Sequence, residues 1–155
     1  FGNNVVIDSF VEIKSFSHIE ECRIKKGSII GPFARIRGGT NIGESSKIGN
    51  FVEIKKSNIS NKVKINHLSY IGDTEIGSST NIGAGTIVCN YDGKNKNKTK
   101  IGKNSFVGSN STIIAPINIG DNVTMGAGSV FNKDIPNNNL SIGRAYQINK
   151  KNKKN

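Results

Sequence analysis

An aliphatic residue that returns every six positions constrains this chain more than any other feature. A small or β-branched residue follows four positions after most members of the series, as at Ala34, Ser46 and Val63. Six residues make one short strand and one corner, so three repeats close one triangular coil of roughly 18 residues, and the pattern predicts an all-β parallel β-helix. The series comprises Ile30, Ile36, Ile42, Ile48, Ile54, Ile59, Ile65, Ile71, Ile76, Ile82, Val88, Ile101, Val107, Ile113, Ile119, Met125 and Phe131.

Composition agrees with a solenoid better than with a compact globule. Apolar residues make up 34% of the 155-residue chain, against roughly 45–50% in ordinary globular proteins. A thin core repeated in every coil needs fewer apolar residues, because stacked neighbours bury one continuous column. The length suits one domain.

We expect three segments along the chain. Residues 1–29 have a weaker period and predict irregular first coils, and residues 30–136 predict the regular β-helix with a loop inserted at 89–100. Residues 137–155 predict a short cap around Leu140 to Tyr146, which covers open strand edges, and a disordered basic tail. Because the first residue is Phe1 and not methionine, we also expect the chain to be the end of a longer one.

The net charge of +11 predicts neither a nucleic-acid nor a membrane partner. Lysines are spread along the chain and cluster only at 94–100 and 150–155, and the 6% of aromatic residues do not interleave with them as single-strand binding requires. The sequence shows no signal peptide and no apolar run of membrane-spanning length. Cys22 and Cys89 are too few for a disulfide framework and lie in no metal-ligand spacing, so we expect a cytoplasmic protein without a metal site.

The candidate site lies where the repeat is interrupted. The step shortens to five residues from Ile54 to Ile59 and from Ile71 to Ile76, and lengthens to thirteen from Val88 to Ile101. All three breaks fall within or beside 51–93, which predicts a functional region there.

One predicted column of stacked residues carries a single imidazole. With three repeats to a coil, every third inward aliphatic residue lies on the same face. The residues two positions after these then form a line along one corner. His67 stands in this line outside the core, and an unperturbed imidazole has a pKa near neutrality, which suits a general base. The line comprises Pro32, Asn50, His67, Ala84, Ser109 and Ala127.

A second column brings two cations together. Arg37 and Lys55 directly follow Ile36 and Ile54, so they should stack about 5 Å apart. A phosphate between them would relieve their repulsion, although two solvated surface charges would also fit. Glu53 and Tyr70 are predicted to stack near the same place, where they can hydrogen-bond a polar ligand.

Other candidate groups are weaker. His18 lacks such neighbours and is interpreted as a surface residue, and two histidines cannot build a three-histidine zinc site within one chain. Cys89 is a conceivable nucleophile, but no base is predicted beside it.

Four motifs resemble one enzyme family. NFVEIKK, HLSYIGD, NIGAGTIVCNYDG and the loop KNKNKTKIG are similar to the C-terminal acetyltransferase domain of the bacterial bifunctional glucosamine-1-phosphate N-acetyltransferase / N-acetylglucosamine-1-phosphate uridyltransferase. The resemblance covers roughly residues 29–147. It implies a left-handed β-helix, a homotrimer and acetyl-CoA bound between subunits.

The resemblance also implies roles for individual residues. His67 would deprotonate the amino group of glucosamine 1-phosphate as the amine attacks the thioester. The substrate contacts would be Arg37, Lys55, Tyr70 and Asn81, and the acetyl-CoA contacts would be Ala84, Asn90, Tyr91, Ser109, Ala127 and Arg144. The product, N-acetylglucosamine 1-phosphate, would serve UDP-N-acetylglucosamine, peptidoglycan and lipopolysaccharide synthesis.

The chain departs from that family because the uridyltransferase half is missing. No cofactor is expected here beyond acetyl-CoA as cosubstrate, since a metal would belong to the missing half. Two alternatives stay open: an acyltransferase of the same fold with another amino or hydroxy acceptor, and a non-enzymatic structural β-helix.

Overall fold

The structure is a computed structural model that describes residues 1–151. Residues 152–155, the end of the expected basic tail, lie outside the described part. Short strands form three parallel sheets of seven, eight and seven strands, and no helix occurs within the described residues. The predicted fold class is therefore confirmed: the chain is an all-β parallel solenoid of hexapeptide repeats, consistent with left-handed winding.

The three sheets form the three faces of a prism. Face 1 contains β1 (Val6–Ile7), β4 (Cys22–Ile24), β7 (Thr40–Ile42), β10 (Asn58–Ile59), β13 (Thr74–Ile76), β16 (Thr99–Ile101) and β19 (Ile117–Ile119). Face 2 contains β2 (Glu12–Ile13), β5 (Ile29–Ile30), β8 (Lys47–Asn50), β11 (Lys64–His67), β14 (Asn81–Ile82), β17 (Phe106–Val107), β20 (Thr124–Met125) and β22 (Leu140–Ser141). Face 3 contains β3 (His18–Ile19), β6 (Arg35–Ile36), β9 (Glu53–Lys55), β12 (Tyr70–Gly72), β15 (Ile87–Cys89), β18 (Thr112–Ile114) and β21 (Val130–Phe131).

The repeat residues stack inside the prism as predicted. On face 2, Ile30 pairs with Ile48, Ile48 with Ile65, and Ile65 with Ile82 in register. All repeat residues from Ile30 to Phe131 are buried. Burying an aliphatic side chain is worth roughly 1.5–3 kcal/mol, so the columns supply the driving force that closes each coil.

Every irregular step falls at one corner of the prism, the corner between faces 3 and 1. Inward residues there are five positions apart from Ile19 to Ile24 and four positions apart from Phe131 to Ile135. The two five-residue steps and the thirteen-residue step seen in the sequence occur at the same corner. The other two corners keep six-residue steps throughout, so inserted and deleted residues are accommodated on one edge only.

The first coils are more regular than the sequence predicts. Strands β1, β2 and β3 pair in register with β4, β5 and β6 of the next coil. The weaker period in residues 1–29 reflects one shortened corner and the exposure of the first coil, not irregular backbone.

The last turn of chain covers the end of the prism. Ile135 forms a bridge to Ile119 on face 1, and Leu140 pairs with Thr124 on face 2. Gly143 accepts a hydrogen bond from the Val130 N–H on face 3. Residues 135–143 thus form a final, incomplete coil across all three faces, and no strand follows as far as residue 151.

Buried hydroxyls tie the coils together at the corners, and Ser46 offers a test. Its Oγ donates to the Ser60 carbonyl at 3.0 Å and accepts from the Val63 N–H at 3.2 Å. We expect Ser46→Ala to lower the free energy of unfolding by about 1–3 kcal/mol, because the buried Val63 N–H and the half-buried Ser60 carbonyl lose their partner. Urea unfolding measures this change.

Ser129→Ala is the matched control. The Ser129 Oγ is buried and has no hydrogen-bond partner among the described residues, so its removal should leave stability unchanged or raise it slightly. Equal losses in the two variants would contradict the proposed role of the corner hydrogen bonds.

Candidate active site

The predicted line of residues around His67 exists at the corner between faces 2 and 3. Backbone hydrogen bonds connect successive coils there: Leu68 N donates to Asn50 O at 3.0 Å, and Gly85 N donates to His67 O at 3.3 Å. Two more continue the line from Asn110 N to Ala84 O at 2.7 Å and from Gly128 N to Ser109 O at 2.8 Å. The His67 column, as this line is called below, comprises Pro32, Asn50, His67, Ala84, Ser109 and Ala127.

His67 ends β11 and is exposed. Its Nδ1 lies 2.8 Å from the Oδ1 of Asn50, the residue directly below it in the column. Beneath the pair is an open groove of about 390 Å³, whose walls include Lys14, Lys47 and Gly49. The imidazole is thus accessible, and one of its nitrogens has a fixed hydrogen-bond partner.

The residues that directly follow the members of the His67 column are bulky below His67 and small above it. The residue that follows each column member has a positive φ, including Phe51 at 55° and Leu68 at 52°. Below His67 these residues are bulky and exposed, and the rings of Phe16, Phe33 and Phe51 stack with centroids 5.0 and 5.3 Å apart. Above it they are Gly85, Asn110 and Gly128, which leaves the upper column open.

Three of the predicted acetyl-CoA contacts lie along this open upper column. Ala84, Ser109 and Ala127 follow one another above His67, and the Arg144 guanidinium donates a hydrogen bond to the Ala127 carbonyl. The structure therefore brings Arg144 to the same column.

Arg37 and Lys55 stack at the other edge of face 3, as predicted. Ile36 pairs with Ile54 in register, which places the two following residues side by side. Arg37 Nη1 donates to Glu53 Oε1 at 2.9 Å. The sequence predicts an anion between two cations, but the structure already supplies the Glu53 carboxylate beside Arg37.

Lys55 instead meets a cation that the sequence analysis missed. A side-chain hydrogen-bonding interaction with Lys96, partial burial and the like charge of Lys96 lower the pKa of Lys55, and the Asp73 carboxylate offsets part of this effect. Two amines so close favour an anionic ligand. The signal for Lys96 in the sequence was the thirteen-residue step from Val88 to Ile101, because a loop inserted beside Lys55 can bring its side chains to the site.

The loop that carries Lys96 is tied down by Asp92. Its carboxylate accepts hydrogen bonds from Lys94 N at 2.8 Å, Asn95 N at 2.7 Å and Asn97 Nδ2 at 3.0 Å. The backbone bonds from Asn95 and Lys94, followed by the Asn97 side chain, lower the pKa of Asp92. The loop is therefore a folded turn that keeps Lys96 near Lys55.

Tyr70 and Asn90 meet above Lys55. A Cβ placed on Gly72, which pairs with Lys55, would lie 2.6 Å from the Tyr70 hydroxyl and 2.7 Å from Asn90 Nδ2. The buried Asn90 donates one amide proton to Asp73 Oδ2 at 2.5 Å. Glycine at position 72 thus leaves room for a phenol and an amide over the cationic cluster formed by Arg37, Lys55 and Lys96.

Two predicted contacts lie elsewhere on the single chain. Asn81 is on the outside of face 2, paired with Lys64 and Phe106. Tyr91 is exposed, and its hydroxyl donates to Gly93 O at 2.7 Å. One chain therefore gathers the other predicted residues along face 3 and at its two edges, with Asn81 and Tyr91 outside these groups.

The cysteines and acidic residues do not suggest further chemistry. Burial raises the pKa of the Cys22 thiol to about 11, which disfavours the nucleophilic thiolate. Within residues 1–151, His, Cys, Asp and Glu side chains form no group of three or more placed to hold a metal ion. The described structure also contains no helix that is long and apolar enough to cross a membrane.

Two family models match parts of the chain. The bacterial transferase hexapeptide family, described as six repeats, matches residues 21–56. The hexapeptide repeat of succinyl-transferase matches residues 98–133. Both matches lie within the solenoid and agree with its repeat.

Much longer matches come from individual proteins. The chain is 54% identical over 151 residues to the bifunctional protein GlmU of Wolbachia pipientis, covering 97% of this chain and 35% of that protein. It is 54% identical over 150 residues to the bifunctional protein GlmU of Zymomonas mobilis, covering 97% of this chain and 33% of the relative. The chain thus spans about a third of the length of these relatives, and the resemblance predicted from the four motifs is confirmed.

Solved structures share the fold at lower identity. Perosamine N-acetyltransferase from Caulobacter crescentus, solved with CoA and GDP-perosamine, superposes with a TM-score of 0.65 at 23% identity, covering 75% of this chain and 54% of that one. Francisella novicida UDP-N-acetylglucosamine acyltransferase gives a TM-score of 0.63 at 17% identity, covering 83% and 62%. These likenesses show the solenoid fold alone.

Proposed function

We propose that this chain is the acetyltransferase part of a GlmU protein and that it transfers the acetyl group of acetyl-CoA to the amino group of glucosamine 1-phosphate. The observation that carries the proposal is the arrangement around face 3. His67 stands at one edge, the cationic cluster at the other, and Tyr70 between them. Three strand residues span roughly 10 Å, which suits a small phosphorylated sugar with a base at one end.

In the proposed reaction His67 acts as the general base. The amine nitrogen attacks the thioester carbonyl and its proton passes to an imidazole nitrogen. The C–S bond then breaks as the imidazolium gives that proton to the leaving sulfur, which releases CoA as the thiol and restores the neutral imidazole. The products are N-acetylglucosamine 1-phosphate and CoA. A base placed within hydrogen-bond reach of the amine contributes on the order of 10²–10⁴ in rate.

The cationic cluster would hold the phosphate group. Arg37 offers a planar guanidinium oriented by Glu53, and Lys55 and Lys96 offer two amines whose mutual repulsion a bound phosphate would relieve. The Tyr70 hydroxyl and the free Asn90 N–H lie above them. These groups favour a phosphorylated acceptor over a neutral amino sugar.

Acetyl-CoA would lie along the upper His67 column, against Ala84, Ser109 and Ala127, with Arg144 at its far end. We further propose that a neighbouring copy covers this column in a homotrimer and brings Asn81 and Tyr91 to the site. The exposed stack of Phe16, Phe33 and Phe51 beside the column supports a covered surface, because exposed apolar patches of this kind mark interaction sites.

The cellular setting follows from the same proposal. The product would supply UDP-N-acetylglucosamine for peptidoglycan and lipopolysaccharide synthesis. A cytoplasmic location is supported by the free thiols of Cys22 and Cys89, since reducing compartments keep cysteines unpaired. Neither a uridyl-transfer activity nor a metal is proposed for this chain.

A panel of acceptors tests the proposed substrate. We expect glucosamine 1-phosphate to be acetylated much faster than glucosamine or glucosamine 6-phosphate, with mass spectrometry identifying the product. Preference for an unphosphorylated amine or a hydroxyl acceptor would instead support the alternative acyltransferase. Absence of acetyl-CoA binding in calorimetry would support a structural β-helix.

Lys55→Ala tests the phosphate site. Loss of a charge-assisted hydrogen bond is worth about 1.5–3 kcal/mol, so we expect KM for glucosamine 1-phosphate to rise roughly 10- to 100-fold. KM for acetyl-CoA should stay within about twofold, because the upper column is untouched. Steady-state kinetics with each substrate varied in turn measures both constants.

The control for Lys55→Ala is Lys62→Ala, which removes one positive charge from an exposed residue at the corner between faces 1 and 2. Lys62→Ala should leave both KM values unchanged. An equal rise in KM for glucosamine 1-phosphate in both variants would mean that only net charge matters and would remove Lys55 from the site.

A further inference from the structure

Asn50 lies directly beneath His67 in the coil before it. The two residues are paired in register between β8 and β11, and their side chains meet with 2.8 Å between Asn50 Oδ1 and His67 Nδ1. A backbone hydrogen bond from Leu68 N to Asn50 O at 3.0 Å fixes the coils next to this contact. The contact is therefore part of the regular stacking of the prism.

The chemistry of the pair determines the direction of the hydrogen bond. An amide oxygen accepts hydrogen bonds and never donates them, so the ring must donate from Nδ1. A neutral imidazole has one proton, and its other nitrogen, Nε2, then carries the lone pair. Only the nitrogen with the lone pair can remove a proton from an amine.

In the described part of the chain, the groove beneath His67 offers no carboxylate that could replace Asn50 as the partner of the ring. The side chains that line the groove with it include Lys14, Lys47 and Asn66, and no carboxylate is among the lining residues described. A neutral amide can orient the ring without placing a second ionisable group against it.

We propose that Asn50 is a positioning residue that holds His67 in the tautomer with the proton on Nδ1 and the lone pair on Nε2. This inference rests on the proposed function, in which Nε2 takes the proton of the attacking amine. Asn50 itself touches neither substrate in this account.

Nitrogen NMR of the intact chain tests the tautomer directly. The chain has two histidines, so ¹⁵N-histidine labelling and comparison with His67→Ala assign both rings. We expect His67 in the wild-type protein to be protonated on Nδ1, and Asn50→Ala to show both tautomers. Asn66→Ala removes a neighbouring amide that makes no hydrogen bond to the ring among the described contacts, and should leave the tautomer unchanged.

Kinetics tests whether the tautomer matters. One hydrogen bond of ordinary strength predicts a loss in kcat of roughly 2- to 10-fold for Asn50→Ala, with KM for acetyl-CoA unchanged. Asn50→Asp should restore the tautomer, and its carboxylate should move the acid limb of the kcat/KM profile to higher pH. A residue that only maintained packing would not move that limb.

Two results would overturn the proposal: a wild-type His67 protonated on Nε2, or an Asn50→Ala protein whose tautomer changes without any loss in kcat. If the wild-type chain shows no acetyl transfer at all, the proposed function fails instead. The NMR experiment still decides whether Asn50 sets the tautomer, since it needs no turnover.

Discussion

His67→Ala should reduce kcat for acetyl transfer by about 100- to 10,000-fold while the protein stays folded. The size follows from the rate contribution of a positioned general base. His67 is exposed at the corner between faces 2 and 3 and does not belong to the buried core, so truncating it removes no core packing. Thiol release from acetyl-CoA, followed under saturating substrate, measures the effect.

The control for this variant is His18→Ala. His18 is also exposed at a strand of face 3, and its Nε2 lies 3.5 Å from Glu20 Oε2. It should retain full activity and the same urea midpoint as the wild-type protein. A His67→Ala protein that acetylates at nearly the normal rate would show that another group takes the proton.

The second large effect is expected in stability, from Gly49→Ala. A Cβ at position 49 would collide with the Asn66 carbonyl oxygen and would lie 2.7 Å from the Asn66 carbonyl carbon. These atoms belong to the backbone of the next coil, which the ladder holds in place, so they cannot move away as a flexible side chain would. We expect a loss of about 3 kcal/mol or more, the upper end of the usual cost of overpacking.

Position 49 also bears on function because Asn66 directly precedes His67. Displacing Asn66 shifts the imidazole, so the variant that remains folded should lose activity as well. Urea unfolding and acetyl transfer on the same preparation would show both effects together.

Gly126→Ala is the matched control for Gly49→Ala. Gly126 follows Met125 as Gly49 follows Ile48, on the same face, but a Cβ there would meet the Ile142 side chain at 3.1 Å and no backbone atom closer than 3.6 Å. Its cost should stay below about 1 kcal/mol, since the unfolded chain also loses entropy when Gly becomes Ala. Equal costs in the two variants would contradict the close approach of the coils beneath His67.

The fold was predictable because the repeat is local. Each six-residue unit with one inward aliphatic residue determines one strand and the corner that follows it. A shift in register would turn the buried residues outward, so the register is also determined. What the sequence could not assign was the location of the irregular steps on the prism. Four shortened steps and one inserted loop can each be located along the chain, but only the pairing of the coils shows that all of them lie on one edge of the prism.

The site was predictable to the extent that it follows from stacking. His67 above Asn50, and Arg37 beside Lys55, are consequences of the column geometry. Lys96 was missed because it reaches Lys55 through a loop outside the repeat. The Glu53 contact with Arg37 was missed for another reason, since it depends on a side-chain rotamer.

The most direct test of the account is thiol release by the purified chain supplied with acetyl-CoA and glucosamine 1-phosphate, with product mass measured on the same samples. We expect one thiol to be released for each N-acetylglucosamine 1-phosphate formed, and turnover to be abolished when the phosphorylated sugar is left out. Binding of acetyl-CoA without acetyl transfer to glucosamine 1-phosphate, in a native mass measurement that shows an assembled trimer, would contradict it.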